Sequence, residues 1–466
     1  MRSLRVLAVT CALVCAALLV SGTPAATGAA HAGLAARSAP VLTKWSPGHY
    51  TPPQGATFNN PLGGTAARRT ILRHVIRSID SVRGYRVRRT SDCPRSPELY
   101  PGEIKISLYS IADLHFVDRL IAAHRRCVSV QVLMNDHLDA RTSPSWARLL
   151  RGLGGDRQRR SFAYRCHRGC RGGPGVLHTK MYLFSQAGRA KSVVMEGSSN
   201  MTTNASNVQW NDLLTVPDNP TLYEQYRSIF QEMKQDRRVA NPLRVFQAGR
   251  FETVFFPQPH TSASHDYAMD ILRSIHCRGA NGGAGSGGRT VVEINMHAWT
   301  GTRGLYLARK VHRMWADGCI VRVLYGFMWH STFTALTHDT GPRMDVRRTI
   351  FPRPGTRVAA IYTHMKVVAV SGHVGNDPSA WVVWNGSDNF TNLGPRDDEV
   401  TMRTLGRTLF ERHVAHNAYI RRVRSSPIWA IYEEPSGGGR APDDARLAAD
   451  PEGISPGSVT MQADPD

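Results

Sequence analysis

The sequence has few lysines, fewer acidic than basic residues, and one long hydrophobic run. Seven of its 58 basic residues are lysines, which leaves 51 arginines scattered along 466 residues, against 36 acidic residues. The hydrophobic run, Val6 to Val20, is shorter than a typical membrane-spanning helix. No other stretch comes closer to that length, which argues against an integral membrane protein.

The sequence also lacks a complete set of clustered metal ligands. Cys166, His167 and Cys170 lie close together, but no second close pair completes a four-ligand zinc site. Six cysteines lie outside the hydrophobic run: Cys93, Cys127, Cys166, Cys170, Cys277 and Cys319. An even number favours disulfides in an oxidising compartment, with zinc at residues 166–170 as the alternative.

The two ends of the chain have compositions that differ from the rest. Arg2 and Arg5 precede the hydrophobic run, and small residues follow it as far as Ala32. This order predicts a secretory signal over residues 1–32 and therefore a secreted protein. Residues 33–64 are expected to form an N-terminal extension. Residues 433–466, rich in Pro, Gly, Ala and Asp, are expected to be a disordered tail.

The formal net charge of +22 favours anionic partners such as nucleic acid or anionic lipid. The arginines are scattered, however, and basic residues are not interleaved with stacking aromatics as in single-stranded nucleic-acid binders. A genome that encodes arginine freely would give the same composition. The charge therefore does not choose between these partners.

One order of elements occurs twice along the chain. Hydrophobic periodicity predicts a helix in residues 65–82, a strand at 103–110, a helix at 115–127 and a strand at 128–134. The same order returns at 267–275, 290–299, 304–319 and 320–328. It predicts an α/β fold with parallel strands joined by right-handed crossovers. The predicted halves are residues 65–240 and 241–432, with equivalent disulfides 93–127 and 277–319 and a small loop closed by 166–170.

Each half then contains the same short motif. VLHTKMYLFS is followed by VVMEGSSNMTTN, and YTHMKVVAVS is followed by WVVWNGSDNFTN. With 19 His and 7 Lys, chance supplies about 0.3 His-x-Lys triplets, so two at matching places are a strong signal. The candidate residues of the two motifs are His178, Lys180, Ser198, Asn200, His364, Lys366, Ser387 and Asn389.

These residue types suit chemistry on a phosphodiester. Histidine can act as nucleophile or acid near neutral pH, and lysine, Asn and Ser can bind the phosphate oxygens. A carboxylate is expected to hold each imidazole in the required tautomer. Asp212 and Glu399 follow the two Gly-Ser-x-Asn turns at similar distances and are the candidates, with Asp398 as a second choice to Glu399.

The paired motifs resemble those of the phospholipase D superfamily, which includes phospholipases, cardiolipin-type synthases and nucleases. The resemblance implies two α/β/α halves around a pseudo-twofold axis, one shared active site, no metal or other cofactor, and a phosphohistidine intermediate. It implies that His178 is the nucleophile and His364 the acid, while Lys180, Lys366, Asn200 and Asn389 bind phosphate. The family has Asp five positions after each lysine, where this chain has Ser185 and Ser371.

The substrate is the most open part of the prediction. A phospholipid head-group ester is favoured because export is predicted, no nucleic-acid-reading motif is present, and the segment GFMWHSTF is apolar. Its residues Phe327, Met328, Trp329 and Phe333 would make transient contact with a membrane surface, or pack in the core instead. A secreted nuclease and an inactive module that binds anionic polymers are the alternatives. The protein is expected to be a monomer.

Overall fold

The computed structural model describes residues 43–45, 50–137, 143–352 and 359–427, all within one compact unit. The predicted signal at 1–32 and the predicted tail at 433–466 lie outside these residues. Within the described ranges, no helix is long and apolar enough to cross a membrane.

The first half contains ten strands and six helices among the described residues. The strands are β1 (Thr43–Trp45), β2 (Gly55–Phe58), β3 (Gly84–Arg86), β4 (Glu103–Leu108), β5 (Ser129–Asn135), β6 (Phe162–Cys166), β7 (Lys180–Ala187), β8 (Ala190–Gly197), β9 (Gln209–Trp210) and β10 (Asp212–Val216). The helices are α1 (Thr65–Arg68), α2 (Thr70–Asp80), α3 (Leu114–Arg125), α4 (Pro144–Leu153), α5 (Thr203–Asn207) and α6 (Pro220–Lys234).

The second half, over the part of it that the structure describes, contains eleven strands and four helices. The strands are β11 (Arg244–Ala248), β12 (Phe251–Phe255), β13 (Ile275–His276), β14 (Val291–Trp299), β15 (Ile320–Met328), β16 (Asp345–Arg348), β17 (Phe351–Pro352), β18 (Ala359–Thr363), β19 (Lys366–Val374), β20 (Asp377–Gly386) and β21 (Val400–Leu405). The helices are α7 (Tyr267–Arg273), α8 (Gly301–Ala316), α9 (His330–Thr337) and α10 (Arg407–Val423).

The two large sheets have the same strand order. The first runs β2-β10-β8-β7-β4-β5-β6, and the second runs β12-β21-β20-β19-β14-β15-β16 with β11 added outside β12. In both, the crossover strands pair in parallel, β4 with β5 and β14 with β15. The α/β fold with two similar halves is confirmed, and each predicted strand and helix of the repeat is present. Strand β2 belongs to the first sheet although it falls within the predicted N-terminal extension.

Helix α3 illustrates why these segments fold as predicted. The Asp113 side chain accepts a hydrogen bond from the Phe116 backbone N–H at 2.9 Å and so caps the helix. Phe116, Val117 and Leu120 recur at helical spacing and are fully buried. One face of the helix therefore covers the first sheet.

Three hydrophobic clusters form the core of the part of the chain that the structure describes. One lies within the first half and one within the second, and each packs helices of its half against that half's sheet. The central cluster combines residues of both halves, including Leu183 and Met233 from the first and Val367, Met402 and Ile420 from the second. This shared cluster fixes the two sheets against each other.

The six cysteines form the three predicted disulfides. Cys93 is bonded to Cys127 and Cys277 to Cys319, at equivalent places in the repeat. The third disulfide joins Cys166 to Cys170. It uses both thiols that the zinc alternative required, so that alternative is wrong.

We expect the long-range disulfides to contribute more to stability than the short one. The chain-entropy account gives about 4 kcal/mol for the Cys277–Cys319 disulfide, with its sequence separation of 42, and about 2 kcal/mol for Cys166–Cys170, with its separation of 4. Urea unfolding of the Cys277→Ser/Cys319→Ser and Cys166→Ser/Cys170→Ser double variants measures both losses. Equal losses would contradict the entropic account.

Candidate active site

Each histidine of the two motifs lies just before a strand, and its lysine is the first residue of that strand, β7 or β19. Both segments pair with the opposite half of the chain. The His178 N–H donates to the Asp398 carbonyl at 3.0 Å, and the His364 N–H donates to the Trp210 carbonyl at 2.9 Å. The site is therefore assembled from the two halves together.

His178 is held by a carboxylate. Its Nδ1 lies 2.6 Å from Glu399 Oε1, and both side chains are buried. The Lys180 Nζ donates to the His178 carbonyl at 2.9 Å. The Tyr109 ring meets the imidazole edge-on, with centroids 5.3 Å apart. A Nδ1–H that donates to Glu399 leaves Nε2 as the reactive nitrogen.

Glu399 is the last of three consecutive buried acids. Burial, with the neighbouring Glu399, raises the pKa of Asp397 well above its usual range. Burial raises the pKa of Asp398 to about 7, although Arg171 opposes the shift. The Asp398 carboxylate accepts from the Arg171 N–H at 3.2 Å and faces that loop. Glu399, not Asp398, therefore serves His178.

His364 is held by an amide. Its Nδ1 lies 2.9 Å from Asn211 Oδ1, and Lys366 Nζ lies 3.0 Å from its Nε2. The His297 ring is tilted against it, with centroids 4.6 Å apart. An ammonium group only donates, so in this arrangement Nε2 accepts and Nδ1 carries the proton.

Asp212 was predicted to hold one of the two imidazoles, but the Nδ1 partners of the motif histidines are Glu399 and Asn211. In the internal repeat Asp212 is equivalent to Val400. The Asp212 N–H donates to the turn serine Ser198 at 3.0 Å, and the Val400 N–H donates to the turn serine Ser387 at the same distance. Asn211 consequently matches Glu399. Since side chains alternate along a strand, the Asp212 carboxylate lies on the other face.

That other face is part of the interface between the halves. Asp212 accepts from Ser198 Oγ at 2.8 Å and from Asn385 Nδ2 at 3.1 Å. Its Oδ2 is 3.8 Å from His413 Nε2. Asp212 thus joins the two sheets rather than orienting a site histidine.

The turn asparagines are anchored alike in both halves. Asn200 Oδ1 accepts from the Ser110 N–H at 3.2 Å, and Asn389 Oδ1 accepts from the Ala298 N–H at 3.3 Å. Each turn is therefore tied to the end of the strand beside the motif, β4 or β14. The tie fixes the orientation of both carboxamides.

A buried arginine holds the second turn. Arg303 donates to Asp266 at 2.8 Å and to Asp388 at 3.0 Å, and it also donates to the Asn389 carbonyl. Burial raises the pKa of Asp388 to about 6, against the opposing effect of Arg303. Removing one member of such a buried network leaves an uncompensated charge, so the turn depends on all of them.

The turn glycines and serines have structural contacts. A Cβ on Gly197 or Gly386 would clash with the backbone of the following strand, at Asp212 or Val400. The turn serines, Ser198 and Ser387, accept N–H groups of the same strands, as described above. Their predicted contact with phosphate stays a prediction.

The two serines that replace the family aspartate also have matching roles. Ser185 Oγ accepts from the Glu103 N–H at 2.8 Å, and Ser371 Oγ accepts from the Gly285 N–H at 2.9 Å. Each ties its motif strand to backbone outside that strand. The replacement therefore lies in the scaffold, away from the two imidazoles.

Three features of the site are absent from the sequence prediction. Asn211 is not a carboxylate and therefore lies outside the sequence prediction, although aligning QWND with DDEV gives it the position of Glu399. Tyr109 directly follows strand β4 and His297 lies near the end of β14, and no shared sequence motif marks these two rings, which contact the histidines. Arg303 carried no signal because arginine is common throughout. No group of three or more His, Cys, Asp or Glu with a metal-site arrangement occurs among the described residues.

Residues 102–234 match the family model described as "Cardiolipin synthase, PLD-like domain". No curated protein matches the sequence. Among solved structures, polyphosphate kinase from Porphyromonas gingivalis is 11% identical, with a TM-score of 0.49 over 85% of this chain. The chain spans only 54% of that kinase.

Two further solved structures are similar. Phosphatidylserine synthase from Haemophilus influenzae Rd KW20 is 11% identical, with a TM-score of 0.48 over 80% of this chain and 87% of its own. Nuc from Salmonella typhimurium, described as a phospholipase D family member, is 17% identical, with a TM-score of 0.25 over 39% of this chain and 94% of its own.

The segment that matches the family model runs from the start of β4 to the end of α6 and contains His178, Lys180 and Asn200. The second half repeats the strand order of the first and brings His364, Lys366 and Asn389 to equivalent positions. The first half of the chain is therefore similar to the PLD-like domain of cardiolipin synthase over residues 102–234.

Proposed function

We propose that this protein is an exported phosphodiesterase that cleaves a phospholipid head-group ester through a covalent phosphohistidine. One observation carries the chemical part of the proposal. Two buried histidines are each oriented at Nδ1 by a partner from the opposite half, and each has a motif lysine within hydrogen-bond distance.

In the first step, the lone pair of His178 Nε2 attacks phosphorus. His364 enters this step doubly protonated, with a proton from solvent on the Nε2 that Lys366 has left. The bond from phosphorus to the leaving oxygen breaks, and that oxygen takes the Nε2 proton of His364. The alcohol departs, and the phosphoryl group stays on His178. The phosphorylated ring keeps its Nδ1–H and is cationic, and the adjacent Glu399 stabilises that charge.

In the second step, His364 acts as a base. It takes a proton from water as the water oxygen attacks phosphorus, and the phosphorus–nitrogen bond breaks with its electrons returning to His178. The products are a phosphomonoester and a histidine pair in its starting state. For a phospholipid, the phosphomonoester is phosphatidic acid.

Lys180 and Lys366 supply fixed positive charge. Both are almost completely buried, and in such surroundings a charge acts on a phosphate oxygen more strongly than in water. In this mechanism Lys366 turns from His364 to the bound phosphate, which leaves His364 Nε2 available for proton transfer. Asn200 and Asn389 would donate to the same oxygens.

An inactive binding module is the weaker alternative. Such a module would need charge but would not need two oriented imidazoles. Both histidines, both lysines and both turn asparagines are retained, and the partners at both Nδ1 atoms are in place. This completeness supports an enzyme.

Support for a phospholipid substrate comes from observations outside the site. The matching family model is named for cardiolipin synthase, whose chemistry concerns phospholipids. The predicted signal and the three disulfides support export, which would bring the protein to membrane surfaces. The net charge of +22 would attract it to anionic lipid, although it would attract nucleic acid equally.

The segment GFMWHSTF gives less support than its composition suggested. Phe327 and Met328 end strand β15 and are buried, and Phe333 in helix α9 packs against the core of the second half. Trp329 is half-buried between the two elements. Trp329 is therefore the residue of this segment that remains a candidate for membrane contact.

We expect His178→Ala to abolish turnover and His364→Ala to lower it by about 10²–10⁴-fold on a substrate with an alkoxide leaving group. His276→Ala, an exposed histidine on β13, is the matched control and should keep full activity. Turnover should also survive EDTA. Loss of activity in EDTA that added metal restores would refute the mechanism.

The substrate is tested by giving the same enzyme two probes. We expect release of head group from vesicles of phosphatidylcholine and phosphatidylglycerol, with supercoiled plasmid cleaved little or not at all. Trp329→Ala should slow turnover on vesicles, whereas Trp381→Ala, a half-buried tryptophan on β20, should not. Plasmid cleavage with intact vesicles would instead establish the nuclease.

A further inference from the structure

The two histidines of the site have chemically different partners at equivalent positions. Glu399 presents a carboxylate oxygen to His178 at 2.6 Å, and Asn211 presents an amide oxygen to His364 at 2.9 Å. The backbone pairing around the two residues is the same, as described above. The difference therefore lies in the side chains alone.

The orientation of the Asn211 amide is fixed from several sides. Its Nδ2 donates to the Ala205 carbonyl at 3.1 Å, and its Oδ1 lies 3.0 Å from Ser198 Oγ. Its backbone N–H donates to Asn59 Oδ1 at 2.7 Å. A flipped amide would place Nδ2 against the Ser198–His364 side and lose the bond to Ala205, so Oδ1 faces the imidazole.

Lys366 and His297 are titratable groups that face the His364 ring. Lys366 approaches Nε2 at 3.0 Å from the same strand segment, and His297 contacts the ring from β14 with centroids 4.6 Å apart. A second positive charge is unfavourable beside an ammonium group, whereas a carboxylate stabilises a positive charge next to it. The two imidazoles thus differ in how well each tolerates a positive charge.

From this difference we propose that Asn211 is a positioning residue that gives His364 the acid–base role and leaves the role of nucleophile to His178. The inference rests on the proposed function. The nucleophile becomes a lasting cation when phosphorylated and needs a carboxylate at Nδ1. The acid must release its proton readily, and a neutral oxygen holds the tautomer without stabilising the cation.

The first test is Asn211→Asp. A carboxylate at position 211 would stabilise the protonated ring of His364. A neighbouring opposite charge typically moves the titration midpoint of a group by about 1–3 pH units. The pH–rate profile is measured on phosphatidylcholine vesicles, or on plasmid if that is what the wild type cleaves. Its alkaline limb should move to higher pH by that amount. A residue with a merely structural role would lower the rate without moving the limb.

The second test needs no change at Asn211. Bis(p-nitrophenyl) phosphate has a leaving group that departs without a proton, so His364→Ala should keep its first-turnover burst within a few-fold, whereas His178→Ala should show none. Peptide mapping of the denatured intermediate should locate the phosphoryl group on His178. This test remains available if Asn211→Asp fails to fold, as judged by circular dichroism.

The outcomes separate the two proposals. A wild-type protein that cleaves none of these probes defeats the proposed function and this inference together. An active wild type that is phosphorylated on His364 overturns the inference and the assignment of the two histidine roles, and it leaves the phosphodiesterase with a phosphohistidine intermediate in place. A folded Asn211→Asp variant whose alkaline limb does not move overturns the inference alone.

Discussion

Backbone hydrogen bonds between the two halves position both imidazoles. In each half, the segment just before the motif strand pairs with the segment that follows the Gly-Ser-x-Asn turn of the other half. The bonds from His178 to Asp398 and from His364 to Trp210 are equivalent, and each brings the next residue's side chain to Nδ1. A shift of one residue in either pairing would turn that side chain to the opposite face. The hydrophobic cluster shared by the two sheets maintains the register of these pairings. The chemistry of the site depends on that register.

The parts of the fold that repeat could be predicted from the sequence because they are local. Hydrophobic periodicity identified the strand–helix–strand units, and the equivalence of the units paired Cys93 with Cys127 and Cys277 with Cys319. The His-x-Lys and Gly-Ser-x-Asn motifs likewise lie at the ends of the predicted strands. Each of these features depends on residues that are close in the chain.

The partner of each histidine could be predicted only in part, because it comes from the other half. Counting residues from the turn selected Glu399, which lies beside His178, but selected Asp212 where Asn211 lies beside His364. The two connections differ by one residue, from Asn200 to Asn211 and from Asn389 to Glu399, and spacing alone does not reveal that difference. The pairing of β9 with β18, which does reveal it, joins residues far apart in the sequence.

The joining of both halves in one chain has a consequence for how such a site can change. In an assembly of two identical half-length chains, symmetry would place the same side chain beside both histidines. Here the two positions are encoded separately, so Glu399 and Asn211 can differ without altering the backbone that holds them. A single polypeptide with an internal repeat can therefore give its two equivalent histidines unequal chemistry, which a symmetric homodimer cannot do.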